Sequence, residues 1–312
     1  MKKTLVLALF AIFAASANAA PKKVAKKVDN SPVFTVIKEN PITSIKNQNR
    51  SGTCWDYSTL AYFESEILKA TGKTYDLCES FVANKTYMDR AIQVVRMHGD
   101  AQFAQGGSCY DPLFCLENYG ICPEGAMPFP GSLTGDSLFN FNEFFSVMEP
   151  YVNAVAKNKS SKISNQWKPG LQGIIDSYLG KCPEKFTYEG KTYTPKQFAA
   201  SLGLDWNNYV TITSYTHHPF YTSFAVEVQD NWRMPQSYNV PMDEMMKIID
   251  NAVMNGYCIA WGGDVSEPGF TRDGLAYMVD GNKVQSLQGS DMARWLGLSP
   301  AKQRSLIDEL GA

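Results

Sequence analysis

The segment 46–55 brings together the residue types that nucleophilic attack on a carbonyl group requires. Cys54 stands six positions after Gln48. At the start of a helix, the macrodipole and the free N–H groups favour the ionised, nucleophilic form of a thiol. The backbone N–H of Cys54 and the side-chain amide of Gln48 are donors for the oxygen that becomes negative in such a reaction. Gly52 gives the tight turn that brings this amide back toward the sulfur, and Trp55 supplies an apolar wall. The segment therefore predicts Cys54 as nucleophile and Gln48 as oxyanion donor.

The spacing of apolar residues after Cys54 predicts the helix that positions it. From Trp55 to Ile67 these residues recur at helical spacing. Further helices are predicted at 79–97, 113–119, 139–157, 167–179, 195–202 and 242–254, with one or two more at 291–310. Strands are predicted at 209–213, 224–228 and 258–261. Because helices precede strands along the chain, we expect an α+β fold with a cleft between a mainly helical half, 41–205, and the start of a sheet-rich half, 206–312.

The first part of the chain is predicted to lie outside the folded domain, which we place at 41–312. Residues 1–19 are typical of a secretory signal peptide, with two lysines, an apolar run and a small-residue cleavage site after Ala19. The apolar run is well short of the roughly 20 residues that span a bilayer, which disfavours a membrane anchor. The lysine-rich stretch 20–40 suits a solvated leader, or alternatively a tether to a lipid surface. We therefore expect export to the periplasm or the medium.

The charge balance excludes some classes of partner. The formal net charge of −2 becomes −4 when the two lysines of the signal are removed. This leaves no basic surplus for nucleic acid or for an anionic membrane. After signal cleavage the chain is therefore predicted to bind neither nucleic acid nor membrane.

The chain has seven cysteines, an odd number that suits one free thiol and up to three disulfide bridges in an exported protein. The sequence does not fix which cysteines would pair. Cys78 and Cys258 sit in apolar segments, so both are equally well explained as small core residues. A zinc site from Cys109, Cys115 and Cys122 is a weak alternative, because their spacing lacks the short CxxC arrangement.

The Cys54 segment resembles the papain superfamily of cysteine peptidases, and more closely its branch of bleomycin-hydrolase-like cysteine aminopeptidases. Four further stretches are similar to family segments: Asp-Leu-Cys-Glu-Ser at 76–80, Gly106-Gly107, Tyr-Gly-Ile-Cys-Pro-Glu at 119–124 and Trp-Gly-Gly-Asp-Val at 261–265. The likeness covers 42–264, most of the predicted domain.

The resemblance implies a papain-like fold, a peptide substrate, no metal or organic cofactor, and a homo-oligomer. It also implies that Gly106 and Gly107 border the substrate groove beside Trp55. A peptide in such a groove bonds to backbone, and a side chain at these positions would block it. Cleavage at the amino terminus of the substrate, rather than within it, rests on the resemblance alone.

One residue beside the nucleophile departs from the family pattern. Asp56-Tyr57 follows Trp55, where the family carries a small residue and then Phe. A carboxylate this close opposes the ionisation of Cys54, unless it points to solvent or pairs with a cation such as Arg50. Full activity of the thiol therefore depends on where the Asp56 side chain lies.

The base that should deprotonate the thiol cannot be assigned among the three histidines, His98, His217 and His218. His217 or His218, followed by Asn231, gives the order Cys, His, Asn, but the family's histidine follows a Trp-Gly-Gly-Asp strand that comes later in this chain. Packing or hydrogen bonding between the two halves is the preferred role of this pair, and His98 is expected at a helix end. The resemblance implies that the catalytic His and Asn lie beyond Ala312, with the C-terminal part incomplete.

Two functions from different classes follow. In the first, the chain is a cysteine-type aminopeptidase whose Cys54 thiolate attacks the peptide carbonyl and forms an acyl-enzyme that water hydrolyses. In the second, it is a catalytically incomplete fragment or a peptide-binding pseudoenzyme without a general-base histidine. A histidine within hydrogen-bond reach of Cys54 would favour the first function, and an empty position there would favour the second.

Overall fold

The computed structural model describes residues 35–127, 129, 138–160 and 162–263. Residues 38–312 form one unit and residues 1–37 another, of which 35–37 are described. Several predicted features lie outside the described residues. They are the signal peptide, most of the leader, the helical stretch at 291–310 and the last two residues of the 261–265 stretch. Among the helices of the described ranges, none is long and apolar enough to cross a bilayer.

The first half of the domain is mainly helical, as predicted. Its helices are α1 (Cys54–Thr71), α2 (Glu79–Arg96), α3 (Tyr110–Asn118), α4 (Phe141–Ala156), α5 (Trp167–Leu179) and α6 (Pro195–Ser201), with a short 3₁₀ turn at Glu124–Ala126. The observed ends fall within three residues of the predicted ones. Local signals explain several of these ends. Thr194, for example, forms a capping box with Gln197 at the start of α6.

The core of this helical part is built largely from aromatic rings. α1 buries Phe63, and α2 buries Tyr87, whose ring meets that of Phe145 in α4 edge to face at 5.1 Å. Phe144 of α4 stacks on Tyr178 of α5 at 5.0 Å. Burial of aromatic side chains contributes strongly to the stability of the fold. This core therefore holds α1 in a fixed position, and with it Cys54, the first residue of the helix.

A two-stranded hairpin between α5 and α6 was not predicted. In it β1 (Phe186–Tyr188) pairs antiparallel with β2 (Lys191–Tyr193). The turn residues Glu189 and Gly190 have φ angles of 47° and 78°, a combination typical of tight hairpin turns. Strands this short carry too little alternation of apolar and polar residues for sequence analysis to recognise.

The second half contains a three-stranded sheet and a helix. The elements are β3 (Ile212–Thr213), β4 (Ser223–Ala225), β5 (Gln236–Asn239) and α7 (Met242–Met254). β5 lies in the middle of the sheet, parallel to β3 and antiparallel to β4. The strands predicted at 209–213 and 224–228 are confirmed in shortened form, α7 is confirmed, and β5 was not predicted. The mixture of helices and strands confirms the α+β class.

The prediction of a strand at 258–261 is wrong. These residues follow α7 without regular structure. A strand is stabilised by hydrogen bonds to a neighbouring strand, and within the described ranges none lies beside them.

The docking segment, residues 229–233, joins the second half to the helical part. Arg233 pairs with a carboxylate of α2 and with the buried Asp111 of α3, each at 2.7 Å. The side chain of Gln93 in α2 donates to the Trp232 carbonyl at 2.7 Å. Charge-assisted hydrogen bonds of this length are strong and directional, so the docking segment is held in one place beside α2 and α3.

Candidate active site

Cys54 is the first residue of α1, and its side chain is exposed. Thr53 before it and Trp55 and Asp56 after it are buried. The first N–H groups of a helix have no acceptor within the helix, and together with the macrodipole they stabilise an anion. The fold therefore presents the Cys54 thiol to solvent at the N-terminus of a helix.

Short hydrogen bonds shape the turn from Gln48 to Cys54. The side-chain Nε2 of Gln48 donates to the Ser51 carbonyl at 2.8 Å, and the Ser51 hydroxyl donates back to the Gln48 carbonyl at 2.8 Å. The same hydroxyl lies 2.5 Å from Oγ1 of Thr53. A side-chain amide carries two N–H hydrogens, and this turn uses one of them. The other hydrogen of the Gln48 amide has no hydrogen-bond partner among the described residues.

Lys46 anchors the chain before this turn. Its Nζ lies 3.0 Å from Oε1 of Glu64 on α1 and 2.9 Å from Oε1 of Glu79 on α2, and it donates to the Leu77 carbonyl at 3.0 Å. Burial by itself lowers the pKa of Lys46, but Glu79 and Glu64 reverse that effect and hold the pKa above its usual range. The charged Lys46 thus ties the residues before Gln48 to two helices.

Gln105 connects the predicted nucleophile turn, residues 48–54, to the glycine loop, residues 105–107. Its side-chain Oε1 accepts the Gly52 N–H at 2.8 Å, and its carbonyl accepts Nε1–H of Trp55 at 3.0 Å. The Tyr87 hydroxyl of α2 donates to the same carbonyl at 3.2 Å. Sequence reasoning missed Gln105, whose only signal was its place next to the glycine pair.

The glycine pair is required by contacts within the protein. A Cβ at Gly107 would lie 2.9 Å from ring atoms of Trp55 and from Oδ2 of Asp111, and a Cβ at Gly106 would overlap the carboxylate of Asp230. Sequence analysis attributed both glycines to the passage of a peptide. The structure places the docking segment against Gly106 and the Trp55 ring against Gly107.

Trp55, predicted to line the substrate groove, is buried, with 4% of its surface exposed. Its ring packs against Gly107, and its Nε1–H is shared between the carbonyls of Gly52, at 3.1 Å, and Gln105. The Trp55 side chain therefore packs against the glycine loop inside the protein and does not expose its ring face to a ligand.

Asp56 is fully buried, so neither expected arrangement, exposure to solvent or pairing with Arg50, is correct. Helical spacing places position 56 on the inward face of α1, one turn before the buried Leu60. Within the described ranges neither carboxyl oxygen has a hydrogen-bond partner. Burial first, and then the nearby Glu79, raises the pKa of Asp56 well above its usual range. The raised pKa favours the protonated carboxyl group, which adds no negative charge beside Cys54.

The three histidines lie in the described residues, and in that part of the chain none hydrogen-bonds Cys54. Nε2 of His217 and Nε2 of His218 lie 3.4 Å and 2.8 Å from the carboxylate of Glu227. The prediction that this pair bonds between the two halves is wrong, because its partner belongs to the same half. His98 is exposed just after α2 with φ of 54°, and its place at a helix end is confirmed.

Asn231 follows Cys54 and His217 in the chain, but its side chain hydrogen-bonds nearby backbone carbonyls. The residue is buried, and its Nδ2 donates to the carbonyls of Val226 at 3.0 Å and Pro235 at 3.5 Å. These bonds close the turn that leads into β5. The described residues thus contain an exposed thiol at a helix start and the Gln48 amide before it, without a histidine bonded to the thiol or an asparagine bonded to a histidine.

All seven cysteines lie in the described ranges and are free thiols, so the predicted disulfide bridges do not form. Cys78, Cys115 and Cys122 are buried and act as small core residues, whereas Cys258 is half-buried. Burial raises the pKa of the Cys78 and Cys115 thiols well above its usual range, which makes them unreactive. Cys109, Cys115 and Cys122 form no metal-binding group in the part that the structure describes.

This chain is similar in sequence to known proteins. A family model described as the Peptidase C1-like family matches residues 3–292. Aminopeptidase C of Listeria monocytogenes serovar 1/2a is 23% identical over 287 residues, which cover 80% of this chain and 64% of that protein. Aminopeptidase C of Lactobacillus delbrueckii subsp. lactis is 24% identical over 300 residues, which cover 82% and 66%.

A solved structure gives the same fold. The crystal structure of PepW from Lactobacillus rhamnosis HN001 superposes with a TM-score of 0.55 at 18% identity, covering 73% of this chain and 59% of that one. At this identity the match establishes the papain-like fold alone. The chain spans about two thirds of the length of the curated relatives it matches, 64% and 66% for the two named above.

The neutral Asp56 predicts a distinctive pH dependence of stability. In the unfolded chain this carboxyl ionises with a pKa of about 3.9, whereas the folded chain keeps its proton to higher pH. The free energy of unfolding therefore falls as pH rises above about 4, by up to about 1.4 kcal/mol per pH unit, until the folded pKa is reached. Asp56→Asn removes this contribution. We expect urea denaturation to show the variant gaining stability over the parent as pH rises above about 4 toward the folded pKa.

The matched control is Asp250→Asn, at an exposed position of α7. Its free energy of unfolding should follow that of the parent across the same range. A parent and an Asp56→Asn variant with parallel pH profiles would contradict the assignment of a neutral Asp56.

Proposed function

We propose that this chain, which belongs to the peptidase C1-like family, hydrolyses peptide bonds with Cys54 as its nucleophile. The observation that carries the proposal is the exposure of one thiol at the first residue of α1, between the buried Thr53 and Trp55. A thiol needs access to its substrate and stabilisation of its anion, and this position offers both. The neutral Asp56 supports the proposal, because it removes a charge that would oppose the thiolate.

The reaction is acyl transfer in two stages. The Cys54 sulfur bonds to the peptide carbonyl carbon, and the carbonyl oxygen takes the negative charge. In this proposal the Cys54 N–H and the unused hydrogen of the Gln48 amide donate to that oxygen. The C–N bond then breaks, and the amine leaves with a proton. Water attacks the thioester, the C–S bond breaks, and the acid and the thiolate are released.

Proton transfer is the step that the described contacts do not provide. The thiol must lose a proton and the leaving amine must gain one. The three histidines of the sequence bond elsewhere or face solvent in the described ranges. The alternative function, peptide binding without turnover, would follow if no base reaches Cys54, and the experiment below separates the two.

Hydrolysis of a fluorogenic aminoacyl amide with a free amino group tests this function. We expect Cys54→Ser to abolish turnover, and Gln48→Ala to lower kcat roughly 100- to 1,000-fold, the usual effect of losing one oxyanion donor. Gln166→Ala, at an exposed position before α5, is the control and should leave kcat unchanged. Binding of the amide by the parent without hydrolysis would establish the pseudoenzyme instead, and turnover by the Cys54→Ser variant would exclude Cys54 as nucleophile.

We propose further that the peptidase removes residues from the amino terminus of its substrate, with Asp230 as the group that limits the groove. The relatives named Aminopeptidase C support this direction of cleavage. In the structure the exposed carboxylate of Asp230 lies against Gly106, one residue from Gln105 and its contacts with the nucleophile turn. Arg233 and Trp232 hold the docking segment there. A peptide lying along the glycine loop would therefore end at a negative charge, which attracts a free ammonium group.

Substrates with free and acetylated amino groups test the role of Asp230. A hydrogen bond to a charged group contributes roughly 1.5–3 kcal/mol, so Asp230→Asn should raise KM for the free amine about tenfold or more. KM for the acetylated substrate should stay the same, as should both values in Asp250→Asn. An equal change for both substrates would show that Asp230 does not recognise the amino group, and it would leave the nucleophile assignment intact.

We propose that the chain is exported and loses residues 1–19. The lysines, the short apolar run and the small residues before Ala20 support this localisation. Sequencing of the amino terminus of the protein recovered from the periplasm or the medium should begin at Ala20. Recovery of an uncleaved chain from the cytoplasm alone would contradict export. Self-association, implied by the family resemblance, stays a prediction.

A further inference from the structure

A cluster of His217, His218 and Glu227 lies in the second half, apart from the nucleophile turn. Each residue offers one ligand atom, and these atoms lie within 4.8 Å of one another. We propose that this His–His–Glu cluster binds Zn²⁺. Two imidazoles and one carboxylate form a well-known ligand set for this ion, with water as the fourth ligand. The inference does not depend on the proposed peptidase activity.

The spacing of the ligand atoms fits the ion. Zn–N and Zn–O bonds of about 2.0–2.2 Å in a tetrahedron place neighbouring ligand atoms about 3.3 Å apart. The pair His217 Nε2 and Glu227 Oε2 is already at 3.4 Å, and the pair His218 Nε2 and Glu227 Oε1 is at 2.8 Å. These two contacts use different oxygens of Glu227, so binding through one oxygen requires its carboxylate to turn toward the ion. The Glu227 side chain is 52% exposed, so it is free to make that movement.

The rings are held in place without a metal. His218 stacks on Phe224 with ring centroids 3.9 Å apart, and His217 meets the edge of Tyr215 at 5.3 Å. The buried Asn239 donates to the carbonyls of Tyr215 at 2.8 Å and His218 at 3.0 Å, which fixes the backbone of this loop to β5. Ligands that are already ordered lose little conformational freedom on binding, and this raises affinity.

The two imidazoles differ in how well they suit the ion. A metal on Nε2 requires the proton to be on Nδ1. The His218 side chain is 29% exposed, so water is available to it. Nδ1 of His217 is buried, and in the described ranges it has no hydrogen-bond partner. A buried donor without an acceptor is unfavourable, so we expect His218 to contribute more affinity than His217.

Calorimetric titration with Zn²⁺ tests the cluster, and the free thiols must be controlled for because cysteines also bind zinc. The full chain carrying Cys54→Ser, freed of metal with a chelator, should bind one Zn²⁺ and no Mg²⁺. We expect Glu227→Gln and His218→Ala in this background to weaken binding at least tenfold, and His217→Ala to weaken it less. His98→Ala removes an exposed histidine and should have no effect. Equal affinity in the Glu227→Gln, His218→Ala and parent chains would overturn the proposal, as would the absence of Zn²⁺ binding.

Co²⁺ in place of Zn²⁺ gives an independent readout on the unmodified cluster. The visible absorption of Co²⁺ held by nitrogen and oxygen ligands should appear in the Cys54→Ser chain. A near-ultraviolet band from thiolate ligands would place the ion on cysteines and overturn the proposal, even if a cluster variant failed to fold.

Discussion

The candidate site depends on one constraint, the pattern of burial in the first turn of α1. Thr53, Trp55 and Asp56 are buried, and Cys54 between them is exposed. The inward residues anchor the helix start in an aromatic core, so the exposed thiol is carried on a rigid support. A nucleophile gains from this arrangement because its position is set before a substrate binds.

The parts around this turn are linked both by hydrogen bonds to backbone atoms and by side-chain pairs. Gln105 accepts the N–H of Gly52 and the indole N–H of Trp55, so the glycine loop and the helix start move together. On the other side Lys46 holds the approach to Gln48. The docking segment rests on Gly106, so the second half of the domain meets the helical part next to the nucleophile. Gly106 therefore leaves room for Asp230, and Gly107 leaves room for the Trp55 ring, besides any contact with a peptide.

Local patterns were sufficient to predict the helix that Cys54 opens, the turn from Gln48 and the α+β class. Features set by distant contacts were not predictable. The burial of Asp56 depends on the whole helical core, the role of Gln105 depends on a contact between residues 53 positions apart, and Glu227 was not recognised as the partner of the two histidines. The strand predicted at 258–261 failed for the same reason, because a strand forms only beside a partner. The disulfide bridges were expected from the number of cysteines, which says nothing about their distances in the core.

The reactivity of Cys54 is the central claim, and the rate of its alkylation by a peptidyl electrophile at mildly acidic pH tests it directly. Mass spectrometry would locate the adduct. The account predicts labelling of Cys54 at least about tenfold faster than labelling of free cysteine, because the thiol is exposed at a helix start whose first N–H groups have no acceptor within the helix. It also predicts the same rate in the double variant His217→Ala, His218→Ala, since both rings bond Glu227. Labelling of Cys54 no faster than that of free cysteine would contradict an activated nucleophile, and a rate that collapses in the double variant would show that one of these histidines is its base.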